Sequence, residues 1–325
     1  MIFFRPIQDQ NTASSRLRVW NIQPHIKDSV VAIADKYSKE DTLVIQKIPD
    51  IELLRKAKTE GARVIYDIDD FYWENPEYKV MLDECDHITV DTEEKKKMLS
   101  EYKDKVTVIP DSLDWDGTKK ESYGEGVIGW TGYGNNAQYL NPILDKIPFP
   151  IRFVTTSDWP QYIHGKGENI QSRPWSLAMV DKYLAECDIG LYYLPKRDFE
   201  QCKSANKLLK NWAIGIPTYT SPMPAYVEAM KAAGVGEKYL VKTDEDWKKI
   251  GFVPFDEKLR EYALQFTAEN IAKKWISLLS LQSQETTTSQ KKQGGKRGSS
   301  ASQTVTQGAT TGKSNRVTTN SKTKG

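Results

Sequence analysis

A chain of 325 residues with 38% hydrophobic content and a formal charge of +2 is long enough for two ordinary domains, and none of its apolar runs is long enough to span a bilayer. Eight of its positive charges (Lys291, Lys292, Lys296, Arg297, Lys313, Arg316, Lys322 and Lys324) fall in residues 286–325 with no acid among them, which leaves −6 on the rest of the chain and argues against a broad nucleic-acid footprint on the fold itself. Three distant cysteines (Cys85, Cys187, Cys202) and three histidines (His25, His87, His164) without paired spacing give no disulfide framework, zinc site or histidine-based triad.

The chain opens MIFFRPIQDQ, whose apolar run is too short for a signal peptide, so a soluble cytoplasmic protein is expected, with the inner membrane surface as a peripheral location. Residues 2–5 read as a first strand and 15–26 as a helical stripe that carries Arg16 and Arg18 near its start. A strand over 42–46 and a helix over 51–60, stopped by Gly61, lead to a buried-type strand over 63–67. That strand runs into Asp67-Ile68-Asp69-Asp70 and the aromatics Phe71, Tyr72 and Trp73. Alternating strands and helices predict a parallel sheet, and such sheets bind ligands at their carboxyl ends. Carboxylates packed this closely repel one another, so burying them needs a partner or a function. A helix over 75–83, a strand over 87–90, a charged helix over 93–102 capped by Thr92 and a strand over 106–109 complete this half. The polar stretch 115–125 suits a domain boundary.

The second half repeats the alternation. A strand over 127–130 feeds Thr131-Gly132-Tyr133-Gly134-Asn135-Asn136 and a helix over 137–144. Glycines there let backbone approach a diphosphate, and a helix N-terminus favours its charge. A strand over 151–155 is followed by an irregular polar segment ending at Arg173 and Pro174. Next come a helix over 177–186, an apolar strand over 188–194, and the segment CKSANKLLKNWAIGIPTYTS from Cys202 to Ser221. Ser204 reads as N-cap of an apolar helix that Gly215 closes and Pro217 ends, with a strand over 216–220. Lys203, Ser204, Asn206 and Lys207 at such a helix start form an anion site. A strand over 239–241 and helices over 244–250 and 255–281 follow. The Ser/Thr/Gln/Gly-rich tail 286–325 is too polar to bury a core and is expected to be disordered.

The segment from Ser204 to Ser221 resembles the donor-site segment of GT-B glycosyltransferases, especially family-4-like bacterial and phage enzymes, in Ser204, Asn206, Lys207, Gly215 and Pro217. It departs from them at Lys210, where that family places a glutamate on the nucleotide ribose. Asp-x-Asp-Asp before aromatics, HITVDT with VIPDSLD, the glycine turn and DIGLYYLP fall in the family's order, so the resemblance covers residues 1–280.

It implies two Rossmann-like doubly wound α/β domains facing a cleft: an acceptor domain over 1–120, a nucleotide-sugar donor domain over 121–255, and a helix over 256–285 packing back. It implies a retaining, metal-independent transfer from a UDP- or GDP-sugar, with no further cofactor, to a glycan, lipid-linked or modified-nucleic-acid hydroxyl. Asp69 and Asp70 would act on the acceptor. Gly132, Tyr133, Gly134, Asn135, Arg173, Lys203, Ser204, Asn206 and Lys207 would hold the donor, and Arg16 and Arg18 would meet phosphate or acceptor.

Three other readings stand beside this one. Asp67-Ile68-Asp69 also looks like the metal-binding DxD of GT-A enzymes, which the order of the later elements disfavours. Lys210 motivates a nucleotide-sugar-binding or interaction protein with weak or no turnover. The basic tail motivates an enzyme acting on modified bases and tethered to DNA, with weak contact to nucleic acid or another anionic surface.

Overall fold

A computed structural model of the protein describes residues 1–70, 75–124, 126–164 and 169–280. The aromatic run 71–73 and the tail 286–325 lie outside the described residues.

Among the described residues eleven strands form two sheets. The first holds β1 (Ile2–Arg5), β2 (Ser29–Val31), β3 (Thr42–Gln46), β4 (Arg63–Ile68), β5 (His87–Val90) and β6 (Val106–Val108), in the order β2-β1-β3-β4-β5-β6. The second holds β7 (Ile128–Gly132), β8 (Ile151–Thr155), β9 (Ile170–Pro174), β10 (Ile189–Tyr192) and β11 (Thr218–Thr220), in the order β11-β10-β7-β8-β9. Every pairing is parallel. The strand order reverses at β1 and β3 in one sheet and at β7 and β10 in the other, the doubly wound plan expected from the alternation.

The helices are α1 (Ala13–Ser15), α2 (Ile51–Thr59), α3 (Pro76–Glu84), α4 (Glu93–Met98), α5 (Val180–Ala185), α6 (Asp198–Gln201), α7 (Asn206–Ile214), α8 (Pro224–Ala232) and α9 (Glu257–Ala263). Each half has its own core. Leu43, Ile45, Val64 and Tyr66 pack with Leu54 and Ala57 of α2 in the first. In the second, Ile128, Trp130, Phe153 and Leu191 pack with Leu208 and Trp212 of α7. Strands buried on both faces tolerate such continuous apolar runs.

Several elements differ from expectation. The stripe over 15–26 becomes a wide π-type turn at Arg16–Trp20 and a 3-10 turn at Gln23–His25. Residues 27–41, to which the sequence reading assigned no element, contain β2, an edge strand paired with β1. The segment expected to be irregular before Pro174 contains β9, also an edge, where a terminal proline costs no ladder bond. The helix expected over 137–144 is a 3-10 turn at Gly134–Leu140. The one expected over 93–102 breaks at Leu99 into α4 and a 3-10 turn, and that over 255–281 breaks at Thr267 between α9 and a helix over 268–280. Among the described residues no helix is long and apolar enough to cross a membrane.

Candidate active site

Helix α7 carries positive charge into the space where the carboxyl ends of both sheets meet. Its apolar side, with Leu208 and Trp212, is buried against the second sheet. Gly215 closes it at φ 107°, a conformation that glycine adopts without steric cost. The other side borders a cavity of about 370 Å³ lined by Lys203, Lys207 and Lys210. The cavity lies at the ends of β7 and β10, where the second sheet reverses its strand order. From the first sheet it receives Lys47 and Asp69, just beyond β3 and β4, and Asp91 and Asp111 beyond β5 and β6.

The three lysines have different partners. Lys203 Nζ lies 2.6 Å from Asp70 Oδ1. Lys210 Nζ lies 2.6 Å from Asp181 Oδ1 and 3.2 Å from Asp114 Oδ2. Lys207 has no carboxylate partner among the described residues. Its ammonium stands 5.8 Å from the centre of the Tyr192 ring, and a Cβ on Gly132 would come within 3.2 Å of it, so the missing side chain at Gly132 makes room for the lysine. Burial, with the charge of Lys203 nearby, pushes the Lys207 ammonium down to about 8.

The opposite wall is acidic. Asp70 Oδ2 lies 2.5 Å from Lys47 Nζ while Oδ1 takes Lys203. Burial works against ionisation, but the Lys203 and Lys47 ammoniums outweigh it and hold Asp70 below the usual carboxylate range. Asp69 reaches Lys47 only at 3.6 Å, and its Oδ1 is buried without a hydrogen-bond partner. Burial, only partly offset by Lys47 and reinforced by the neighbouring carboxylates, pushes Asp69 up to about 6. Burial likewise pushes Asp91 up to about 7 despite its pairing with Lys95. Lys47 itself has φ 59°, sparsely populated for a side-chain-bearing residue. Its N–H donates to Asp67 O at 2.7 Å and its carbonyl accepts from Tyr66 Oη at 2.6 Å; such strain persists where the surroundings over-determine it and clusters at functional sites.

No family model and no curated protein matches the chain. Among solved structures it is similar to the pneumococcal O-GlcNAc transferase GtfA in complex with UDP and GlcNAc, at 12% identity and a TM-score of 0.56, over 75% of this chain and 57% of that one. It is also similar to the trehalose-6-phosphate structure from E. coli bound with UDP-2-fluoro glucose (10% identity, TM-score 0.53, 74% and 73% of the two chains). A third is the alpha,alpha-trehalose 6-phosphate synthase from Burkholderia multivorans (10%, 0.51, 76% and 73%). The chain has the GT-B fold. It spans little more than half the length of GtfA.

Within this GT-B fold the residues singled out from sequence are sorted by position. Asp69, Asp70, Gly132, Tyr133, Lys203, Ser204, Asn206, Lys207 and Arg16 line the cavity. Ser204 does not cap α7. The N-cap is Ala205, without a side-chain bond, because Ser204 Oγ donates instead to Asp111 Oδ2 at 2.6 Å, where Asn206 Nδ2 also donates at 3.3 Å; a carboxylate is the stronger acceptor. Arg16 forks onto Asp114 at 2.9 and 3.0 Å and donates to the Gln10 carbonyl at 2.7 Å.

Arg18 is placed differently. It is fully buried, bound to both oxygens of Asp67 and to the Ile109 carbonyl, and does not line the cavity. Asp67 also accepts from Thr89 Oγ1 at 2.6 Å, so the DxD pattern has its first carboxylate sealed inside. Gly134 donates its N–H to Thr156 Oγ1 at 2.9 Å, and Asp158 fills the space beside its Cα. Asn135 is exposed, and Arg173 is exposed on edge strand β9. Neither lines the cavity.

Sequence reasoning passed over Lys47, Asp91 and Asp114 as site residues, and read Asp111 only as part of a closing strand. The available signal was position: Lys47 and Asp91 directly follow strand ends, and Asp111 comes three residues after one.

Proposed function

We propose that the protein is a family-4-like glycosyltransferase that moves a sugar from a nucleotide-activated donor to a hydroxyl, with retention and without a metal. Residues 121–255 hold the donor, residues 1–120 hold the acceptor, and the part of the expected 256–285 segment up to residue 278 packs back toward the first half. The observation that carries this reading is Lys207: a desolvated ammonium without a carboxylate, between two carboxylate-neutralised lysines, at the strand-order reversal of a parallel sheet. Lys207 is half-buried at the cavity wall, and a partly desolvated cation without a counter-charge is completed by an anion entering that cavity. The donor diphosphate is such an anion, as UDP and UDP-2-fluoro glucose are for the similar structures that contain them.

In the reaction the bond from the anomeric carbon to the diphosphate oxygen breaks, and its electron pair leaves with the nucleoside diphosphate. Lys207, Lys203 and the uncapped start of α7 stabilise that charge. The acceptor oxygen bonds to the same carbon, and its proton passes to Asp69, whose raised pKa suits a base working near neutrality. Asp70, held by two lysines, orients the group.

The test is a thermal-shift and calorimetric panel of UDP, GDP and their sugars on the full chain. One nucleotide class is expected to raise the melting temperature by mass action, and Lys207→Ala is expected to lose that shift while staying folded. An unchanged shift in Lys207→Ala, or none with any nucleotide in the parent, rejects the reading.

A second reading, binding without turnover, is favoured by Lys210. With its ammonium fixed between Asp181 and Asp114, it is a donor where the resemblance calls for an acceptor of ribose hydroxyl protons. Nucleotide release from a bound nucleotide sugar separates the two.

A further inference from the structure

The cavity has two walls of opposite charge, and the acidic one has a consequence for the second substrate. On the first-sheet side every cation that reaches the cavity is already engaged by a carboxylate. Lys47 holds Asp70 at 2.5 Å and lies 3.6 Å from Asp69. Arg16 holds Asp114 at 2.9 Å and two backbone carbonyls. Arg18 and Lys95 neutralise Asp67 and Asp91 from behind and do not line the cavity. Facing the open space from this side are Asp69, Asp70, Asp91 and Asp111. The second-half lysine that reaches across, Lys203, donates to Asp70 on this wall.

Independently of that charge, Asp69 Oδ1 is buried without any hydrogen-bond donor. A buried carboxylate oxygen lacking a donor is costly, and an O–H group from a ligand in the cavity supplies one. An anionic group there would meet Asp69 and three carboxylates whose cations and donors are already engaged, with no further cation on this side to receive it, and like charges repel strongly in a partly desolvated space.

We infer that the acceptor is an uncharged polyhydroxyl compound, engaged by Asp69 through one of its hydroxyls, and that phosphorylated acceptors are excluded from this site. This rests on the glycosyltransferase reading and goes beyond it by separating the two substrates by charge. The anionic donor belongs to the α7 side, the neutral acceptor to the β4–β6 side. Near-neutral Asp69 and Asp91 mark the same wall as one whose carboxyls resist further negative charge.

The experiment uses the full chain with the nucleotide sugar that binds it. Free nucleotide release is followed with matched acceptors: methyl glucoside and N-acetylglucosamine, each against its 6-phosphate. The neutral member of a pair is expected to be used at least about tenfold better in kcat/KM, because one like-charge contact at short range is worth that much. Asp70→Asn is expected to narrow that ratio, a change in selectivity that a purely structural role would not produce, while Asp69→Asn, which removes the proposed base, is expected to stop release with both members and leave nucleotide binding by calorimetry within twofold. A phosphorylated member used equally well or better overturns the inference. So does release with neither member while the nucleotide still binds, and that result leaves the donor site standing. Loss of nucleotide binding in the parent chain would instead reject the reading on which the inference depends.

Discussion

Arg18 and Lys207 are both basic residues near the carboxyl ends of a parallel sheet, and they have opposite surroundings. Arg18 is enclosed with Asp67, which it grips through two nitrogens. Lys207 is half-buried at the cavity wall beside Tyr192 and Gly132, with no carboxylate partner among the described residues. One cation is complete within the fold and the other is not. A buried pair of the first kind serves the fold and its specificity; a half-buried single charge of the second kind is unfavourable by itself. On the proposed reading the contrast separates a structural arginine from a lysine left for an anion.

The largest effect is expected from breaking the complete pair. Arg18→Ala leaves the Asp67 carboxylate buried with only Thr89 as a side-chain donor and is expected to cost about 3–5 kcal/mol of stability, read by denaturant unfolding. Asp67→Asn should follow the same direction. A loss under 1 kcal/mol would mean that water reaches Asp67, contrary to its burial. Lys207→Met sharpens the contrast from the other side. Removing a desolvated, unpaired ammonium should leave stability unchanged or raised. Nucleotide affinity should fall by about 2–3 kcal/mol, the scale of a charge-assisted hydrogen bond, which calorimetry reads as roughly a hundredfold in Kd. If Lys207→Met unfolds the protein as Arg18→Ala does, the two sites are alike and the distinction fails.

The same lysine predicts a pH dependence of smaller size. Its pKa in the free protein is depressed to about 8, and anion binding needs the protonated form. Affinity for the nucleotide should therefore be full below about pH 8 and decline above it, by at most tenfold per pH unit. Lys207→Arg, which stays charged, should remove the decline if it binds at all. In turnover, the rise with pH belongs to the Asp69–Asp70 pair, near 6 for the raised member, so a bell between about 6 and 8 is expected.

How much of this was legible before the fold is clearest at particular residues. Alternating apolar strands and helices predict two parallel sheets, because burial on both faces leaves a plain signature in 43–45, 64–66 and 189–191. Edge strands β2 and β9 leave almost none: three and five residues long, without buried positions, they are specified by the neighbour they pair with. Helix α7 was legible through Gly215 and Pro217, but its N-cap was not. Which acceptor Ser204 bonds depends on Asp111, a residue 93 positions away that the chain alone does not place beside it. Arg16 and Arg18 look equivalent in sequence; one turn of π-type backbone sends Arg16 to the cavity and Arg18 into the interior.

Arg173 gives the smallest prediction and the control for the rest. In sequence it stands with the donor residues, a basic side chain before Pro174 at the end of a segment expected to be irregular and polar. In the fold it lies on edge strand β9, opposite Val154 of β8, with its side chain exposed. An exposed, unburied charge contributes little to stability, within about 0.5 kcal/mol, and on an edge strand two places from β7 its field is largely screened at physiological salt. Arg173→Ala should therefore leave the melting temperature within about 2 °C and nucleotide affinity within twofold of the parent. A tenfold loss of affinity would mean that β9 closes over the nucleotide when it binds, and the donor site would then extend past β7 and β10 to the far edge of the second sheet.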